Sequence, residues 1–167
     1  MTSLHLEADS VLENPLSIVE EVVLGRDLPC ERVSDEEFVA EMSSLWCNLK
    51  LWFVWKAECQ TLMISCIFDG KVPERSRANL YPLLAMVNDA LWLGHFGICA
   101  EESAISYRYS MILKSGASLT EDVMEDILSQ AISECERFYP AFQSVVWGGK
   151  SVKEAMEAAI FETVGEA

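Results

Sequence analysis

The sequence predicts an α+β fold: a single antiparallel sheet with helices packed on it. Three observations carry this. Between Leu80 and Leu113 an apolar helix, with Leu80, Leu83, Leu84, Val87 and Leu91 at helical spacing, stops at Gly94 and feeds two short alternating runs, His95 to Ala100 and Ile105 to Leu113. Ahead of it lie period-two runs joined by short turns, and short connections imply antiparallel neighbours. Behind it, from Thr120, the period returns to that of a helix. The predicted order is helix, three strands, helix, two strands, helix pair, which one sheet covered by helices satisfies.

Residues 1–13 lack turn signals and read as a loose lead-in. Asn14 caps the first helix with Pro15 at its first position, where a missing N–H costs nothing. Leu16, Val19, Val22 and Val23 form its apolar stripe, with Glu20 and Glu21 on the wet side. A short run, Cys30 to Val33, meets a polar turn at Ser34 to Glu36. Phe38, Ala40 and Met42 then alternate with some helical ambiguity. The next run is clearer: Cys47, Leu49, Leu51, Phe53 and Trp55 share one face and Asn48, Lys50, Trp52, Val54 and Lys56 the other. Leu62, Ile64, Cys66 and Phe68 continue the apolar face, and Asp69-Gly70 ends that run as a turn dipeptide.

Pro73 and Glu74 open the central helix. Pro82 removes a hydrogen bond inside it, so either the helix kinks near Ala78 or its regular part starts close to Tyr81. Gly94 reads as a left-handed cap. Glu101 and Glu102 read as a hairpin turn, and Tyr107, Tyr109 and Met111 share a strand face opposite Ser106, Arg108 and Ser110. Gly116 and Thr120 introduce the last helical section, with Thr120 as cap and Glu121 and Asp122 in the positive first turn. Met124, Ile127, Leu128, Ala131, Cys135, Phe138 and Phe142 keep a stripe to Val145; Pro140 should bend it and Gly148-Gly149 stop it. Ser151 and Glu154 form a capping box for a short final helix.

At 167 residues the chain is simplest as one domain, long enough to bury a core without staples. Its net charge is −15. Residues 1–41 carry 11 acids and 2 bases, 42–118 carry 6 and 7, and 119–167 carry 10 and 3, so both ends are acidic and the middle is neutral. Phosphate backbones and anionic membranes would be repelled. No positive n-region precedes an apolar segment, so no secretory signal is expected, and the longest uninterrupted apolar runs, such as Leu51 to Trp55, are five residues. The six cysteines (Cys30, Cys47, Cys59, Cys66, Cys99 and Cys135) contain no Cys-x-x-Cys, so a zinc site is not expected and reduced, buried thiols in a cytoplasmic protein are.

The residues offer no catalytic motif, no metal set and no cofactor site. Of the two histidines, His5 lies in the lead-in. His95 starts a strand, and Glu101 and Glu102 are its nearest acids in sequence; as a base it would need a positioned partner. A pocket near His95 is therefore the alternative reading, a small-ligand binder or an enzyme. Asn88 lies on the apolar side of the central helix and reads as a structural hydrogen bonder. The face holding Trp52, Val54, Met63 and Ile67 has more apolar area than a solvated face needs. Either the first or last helix covers it, or it is a partner or dimer surface rimmed by Lys50 and Arg108.

The stretch Asn88-Asp89-Ala90-Leu91-Trp92-Leu93-Gly94-His95-Phe96 resembles the signature of the YbjN family of bacterial sensory transduction regulators. Asp69-Gly70-Lys71-Val72-Pro73, Tyr139-Pro140-Ala141-Phe142 and Phe161-Glu162-Thr163 also resemble its members. The likeness covers roughly Asn14 to Ala167, read as one domain, and Asn88, Leu91, Trp92, Gly94 and Phe96 carry its structural signature. It implies a fold similar to type III secretion chaperones, no catalytic residues, regulation or chaperone-like binding of a protein partner, and a homodimer.

Overall fold

The computed structural model describes residues 14–114 and 119–164, with the backbone alone for 160–164. The lead-in 1–13 with His5, residues 115–118 with Gly116, and residues 165–167 lie outside the described residues. In chain order the elements are α1 (Leu16–Gly25), β1 (Cys30–Arg32), β2 (Glu37–Ser43), β3 (Asn48–Lys56), β4 (Thr61–Lys71), α2 (Glu74–Asp89), β5 (His95–Cys99), β6 (Ala104–Ile112), α3 (Glu121–Val146) and α4 (Val152–Val164). The strands form one sheet in the order β1-β2-β3-β4-β6-β5, and every neighbouring pair is antiparallel. The α+β class holds. The expected three strands between the first two helices become four, because Cys30–Arg32 pairs with β2 as a three-residue edge strand. So short a run has too few positions to show a period.

The core lies on one face of the sheet. Leu49, Leu51, Phe53 and Trp55 of β3, Leu62, Ile64, Cys66 and Phe68 of β4, and Ile105 and Tyr107 of β6 join the buried residues of all four helices in one cluster. The helix stripes are those the spacing predicts. Leu16, Val19, Val22 and Val23 are buried on α1, and Met124, Leu128, Ala131, Cys135, Phe138 and Phe142 on α3. Aromatic packing concentrates under α3, where Phe96 meets Phe142 at 5.0 Å and Phe68 meets Tyr139 edge-on at 5.3 Å between ring centroids.

The local stop and start signals work by hydrogen bonds. Asn14 Oδ1 accepts the Leu16 amide at 3.0 Å from two residues before the regular helix, whose cap position falls on Pro15 instead of the expected Asn14. Thr120 Oγ1 accepts from Val123 at 3.3 Å. The Ser151 amide donates to Glu154 Oε2 at 3.0 Å while the Glu154 amide donates back to Ser151 Oγ at 3.3 Å, the reciprocal capping box. The α3 helix runs unbroken through Pro140 and ends before Gly148-Gly149.

Three points are decided by the structure. The central helix begins at Glu74, as expected, and continues through Pro82, so its regular part does not wait for Tyr81. Pro82 and the Ala78 carbonyl it leaves without a partner both lie on the exposed side, where water can take the lost bond. The helix ends at Asp89, not Gly94. Gly94 is left-handed at φ +67°, but it sits in the loop just before β5, where a Cβ would run into the Tyr107 ring and hydroxyl. Asp69-Gly70 does not end its strand. β4 continues to Lys71 with a register shift between Ile67 and Lys71, and Gly70 at φ +113° makes the bulge.

Candidate docking face

The second face of the sheet has no described helix on it. By register its rows run across the strands. One row is Val39, Trp52, Ser65, Arg108 and His95; the next is Glu41, Lys50, Ile67, Ser106 and Gly97; a third holds Glu37, Val54, Met63 and Ser110. The residues expected to form a partner surface therefore do come together. Trp52 and Val54 alternate with the core residues of β3, and Met63 pairs with Val54 across β3 and β4. Trp52, Val54 and Met63 are half-buried. Ile67 differs. It is 3% exposed and packs in a small cluster with Cys99, Ala104 and Trp52.

The polar groups of this face fall into two kinds. Lys50 Nζ is 2.7 Å from Glu102 Oε1, so that cation is paired and ties β3 to the β5–β6 turn. Arg108 has no ion pair among the described residues. Its Nε is shielded from solvent with no acceptor, and so is the hydroxyl of Ser65, its register partner, which is 1% exposed. Glu101, beside Glu102 in the same turn, accepts hydrogen bonds from its own backbone amide and from the Cys99 thiol, and these with the field of Arg108 hold its carboxyl below the usual range.

His95 is exposed and Glu101 and Glu102 occupy the hairpin turn. A groove of about 670 Å³ lies at the β4 bulge, lined by Met42, Lys50, Phe68, Asp69, Lys71 and Glu102 among others, but by neither His95 nor Glu101. A pocket built around His95 thus gains no geometry from the structure. Among the described residues no cluster of three or more His, Cys, Asp or Glu could hold a metal ion.

The signature residues have structural jobs. Asn88 Oδ1 accepts the Phe96 amide at 2.7 Å and its Nδ2 donates to the Phe96 carbonyl at 3.0 Å, closing the outer edge of β5. Gly94 makes room for Tyr107, whose hydroxyl donates to the Leu93 carbonyl at 2.8 Å; burial pushes that phenol well up. Trp92 has no such job: it is 99% exposed. Tyr81 and Met86 are also exposed and with the exposed Pro82 and Ala85 make an apolar strip on the outer side of α2; Leu93, like Trp92, is exposed in the loop that follows. Sequence reasoning passed over this strip. The available signal was that Tyr81, Pro82, Ala85, Met86 and Trp92 are all uncharged and all off the buried stripe.

No curated protein matches the sequence. Among solved structures, the fold is similar to YbjN from E. coli, with a TM-score of 0.51, 8% identity, and coverage of 71% of this chain and 84% of that one. A structure of the ExsC–ExsE complex is similar at a TM-score of 0.46 and 17% identity, covering 72% of this chain and 86% of that one. The family described as "Putative bacterial sensory transduction regulator" matches residues 15–144, more than half of the chain and all of the elements from α1 into α3. The chain belongs to the YbjN family.

Proposed function

We propose that residues 14–167 form one non-enzymatic, cytoplasmic binding domain that regulates or chaperones another protein, and that the partner docks on the open sheet face. The observation that carries this is the one-sided packing. All four helices gather over the face of Leu51 and Phe53, and the face of Trp52, Val54 and Met63 is left without a described helix. The family's description as a regulator supports the same reading. No described helix is long and apolar enough to cross a membrane. The test is affinity capture from the native cytoplasm with the full chain and with Trp52→Lys. A protein recovered repeatedly by the first and lost by the second is the expected result. No recurrent partner, or one indifferent to Trp52→Lys and Met63→Lys alike, overturns the reading.

A homodimer is the second element of the proposal, and the exposure of Tyr81 and Met86 on α2 and of Trp92 in the loop after it supports this side of the molecule as its contact. The helix carries two acids and two bases, so two copies could meet there without facing acid against acid. Pro82 and Ala85 are small enough for close approach, and an interface of about 1,200–2,000 Å² is ordinary for such a contact. That leaves the Trp52 face free for the partner. Light scattering at micromolar concentration should give a dimer that Met86→Asp with Trp92→Asp converts to a monomer. A monomeric unmutated protein refutes the dimer, and a dimer broken by Trp52→Lys moves the contact to the sheet.

A further inference from the structure

We propose that Ser65 and Arg108 form the receptor for a single acidic side chain on the docking partner, with Trp52 and Met63 taking the apolar residues beside it. This deepens the docking-face reading and rests on it. The motivation is a pair of adjacent polar groups without a hydrogen-bond partner among the described residues. Arg108 stands on β6, one strand in from the β5 edge of the open face, in a chain with 27 acids, yet none of the described carboxylates forms an ion pair with it. Its Nε is shielded and lacks an acceptor, and the shielded Ser65 hydroxyl beside it in register lacks a partner too.

Buried polar groups are almost always satisfied, and a shielded guanidinium N–H without an acceptor is costly. The Arg108 Nε–H can only donate and the Ser65 hydroxyl can donate as well as accept, so one acceptor serves both; Arg108 is half-buried, which leaves part of its side chain open to a partner, and a carboxylate has two oxygens and the charge that Arg108 calls for. The neighbours specify what surrounds it. Trp52 flanks Ser65 on one side in the same row, and Met63 precedes Ser65 by two residues on the same face. The row continues past Arg108 to His95 and past Trp52 to Val39, so the face suits a chain passing across it rather than one ending on it. The occupant is therefore an Asp or Glu side chain within an extended segment, next to an apolar residue, and not a chain terminus.

The test uses the full chain and three blocked dipeptide probes: N-acetyl-Leu-Glu-N-methylamide, its Gln counterpart, and N-acetyl-Leu-Gln with a free carboxylate end. NMR follows the Arg108 Nε–H and the Trp52 indole N–H during titration. The Glu probe should shift both saturably and bind about tenfold or more tightly than the Gln probe, the size expected for a charge-assisted pair. Arg108→Gln should remove the preference, Ser65→Ala should reduce it, and Arg108→Lys should keep part of it, which separates loss of the anchor from loss of the fold. Equal shifts with Glu and Gln mean that the site does not select a carboxylate, and the proposal fails. Tighter binding of the free-end probe assigns the site to a chain terminus and also overturns it, as does a shift that appears only as the protein self-associates. If Trp52→Lys abolishes partner capture while Arg108→Gln leaves it intact, the docking face stands and the carboxylate anchor falls.

Discussion

Replacing Asn88 with Ala is expected to cost about 2–4 kcal/mol of stability, and the number follows from one strand edge. β5 is the last strand of the sheet, bonded to β6 on one side only. The amide and carbonyl of Phe96 point away from β6, and both are taken by the side chain of Asn88, at 2.7 and 3.0 Å. No other strand is available to them. Phe96 is 2% exposed and its ring is held by Tyr107, Phe138 and Phe142, so the backbone there cannot turn toward water without disturbing the aromatic core. Each orphaned group costs about 1–3 kcal/mol. Asn88 is itself half-buried, so water can reach part of the space that Ala leaves, which puts the sum in the lower half of the range. For a chain of this length that is a fall in Tm of about 5–15 °C. Asn88→Asp is the sharper probe. It keeps an acceptor for the Phe96 amide but sets a carboxylate against the Phe96 carbonyl, so it should be no more stable than Ala. Urea unfolding followed by tryptophan fluorescence measures both. A loss below about 1 kcal/mol for Ala with an unchanged m-value would show that Asn88 does not hold this edge.

Gly94→Ala should lose about 2–4 kcal/mol, because the residue is left-handed and a Cβ would strike Tyr107 and come within 2.9 Å of the Arg108 carbonyl; Tyr107→Phe should relieve part of that loss, and additive losses in the double variant would contradict the clash. The hydrogen bond from Arg26, with Nε 3.0 Å from Glu125 Oε2, lowers the Glu125 pKa. A lowered folded value means the stability it lends is present above the ordinary carboxyl range and is lost as pH falls through the folded pKa, so the gap between the protein and Glu125→Gln should be open at neutral pH and close in acid; a gap that is constant with pH would refute the assignment. Thiol titration should find Cys59 reactive in the folded protein and Cys66 and Cys135 protected until unfolding, since both are buried and burial raises the Cys135 thiol well above its ordinary value; rapid labelling of Cys135 under native conditions would contradict the core.

What the sequence made legible was local. The stripe on α1, the Thr120 cap and the Ser151–Glu154 box are decided by residues within a few positions of one another, and each is found in place. The same reasoning misplaced events decided by distant residues. Gly94 looks like a helix cap because glycine after an apolar stripe usually is one, but here the side chain it lacks would strike Tyr107, thirteen positions on and across the β5–β6 pair. Asp69-Gly70 looked like a turn, and the continuing strand made it a bulge. Period two put Trp52, Val54 and Met63 on one face, yet whether a helix covered them depended on which side of the sheet each helix took. Nothing in the alternation of Ser65 or Arg108 says that neither finds a hydrogen-bond partner among the described residues; that is a property of five strands laid side by side.

The charge of the fold bears on why Arg108 stays unpaired. The three helices α1, α3 and α4 carry eleven acids against two bases, while the outward positions of β2, β3 and β6 carry Glu37 and Glu41 against Lys50, Lys56 and Arg108. The acid excess is therefore on the helical layer, and a sheet one strand-layer thick separates it from the open face. Acids could have been placed opposite Arg108 at little cost, since surface pairs are easily made and worth little. Instead its row offers Trp52, Ser65 and His95, Lys50 takes Glu102, and Glu101 turns to Cys99 and its own amide. A long-range field that repels acidic molecules from the helical side and a lone guanidinium on the other side act in the same direction: an acidic segment meets least repulsion along the face where its counter-charge is waiting. Screening should weaken the repulsion and the attraction together, so the preference between the two sides is greatest at low ionic strength, where the field extends furthest.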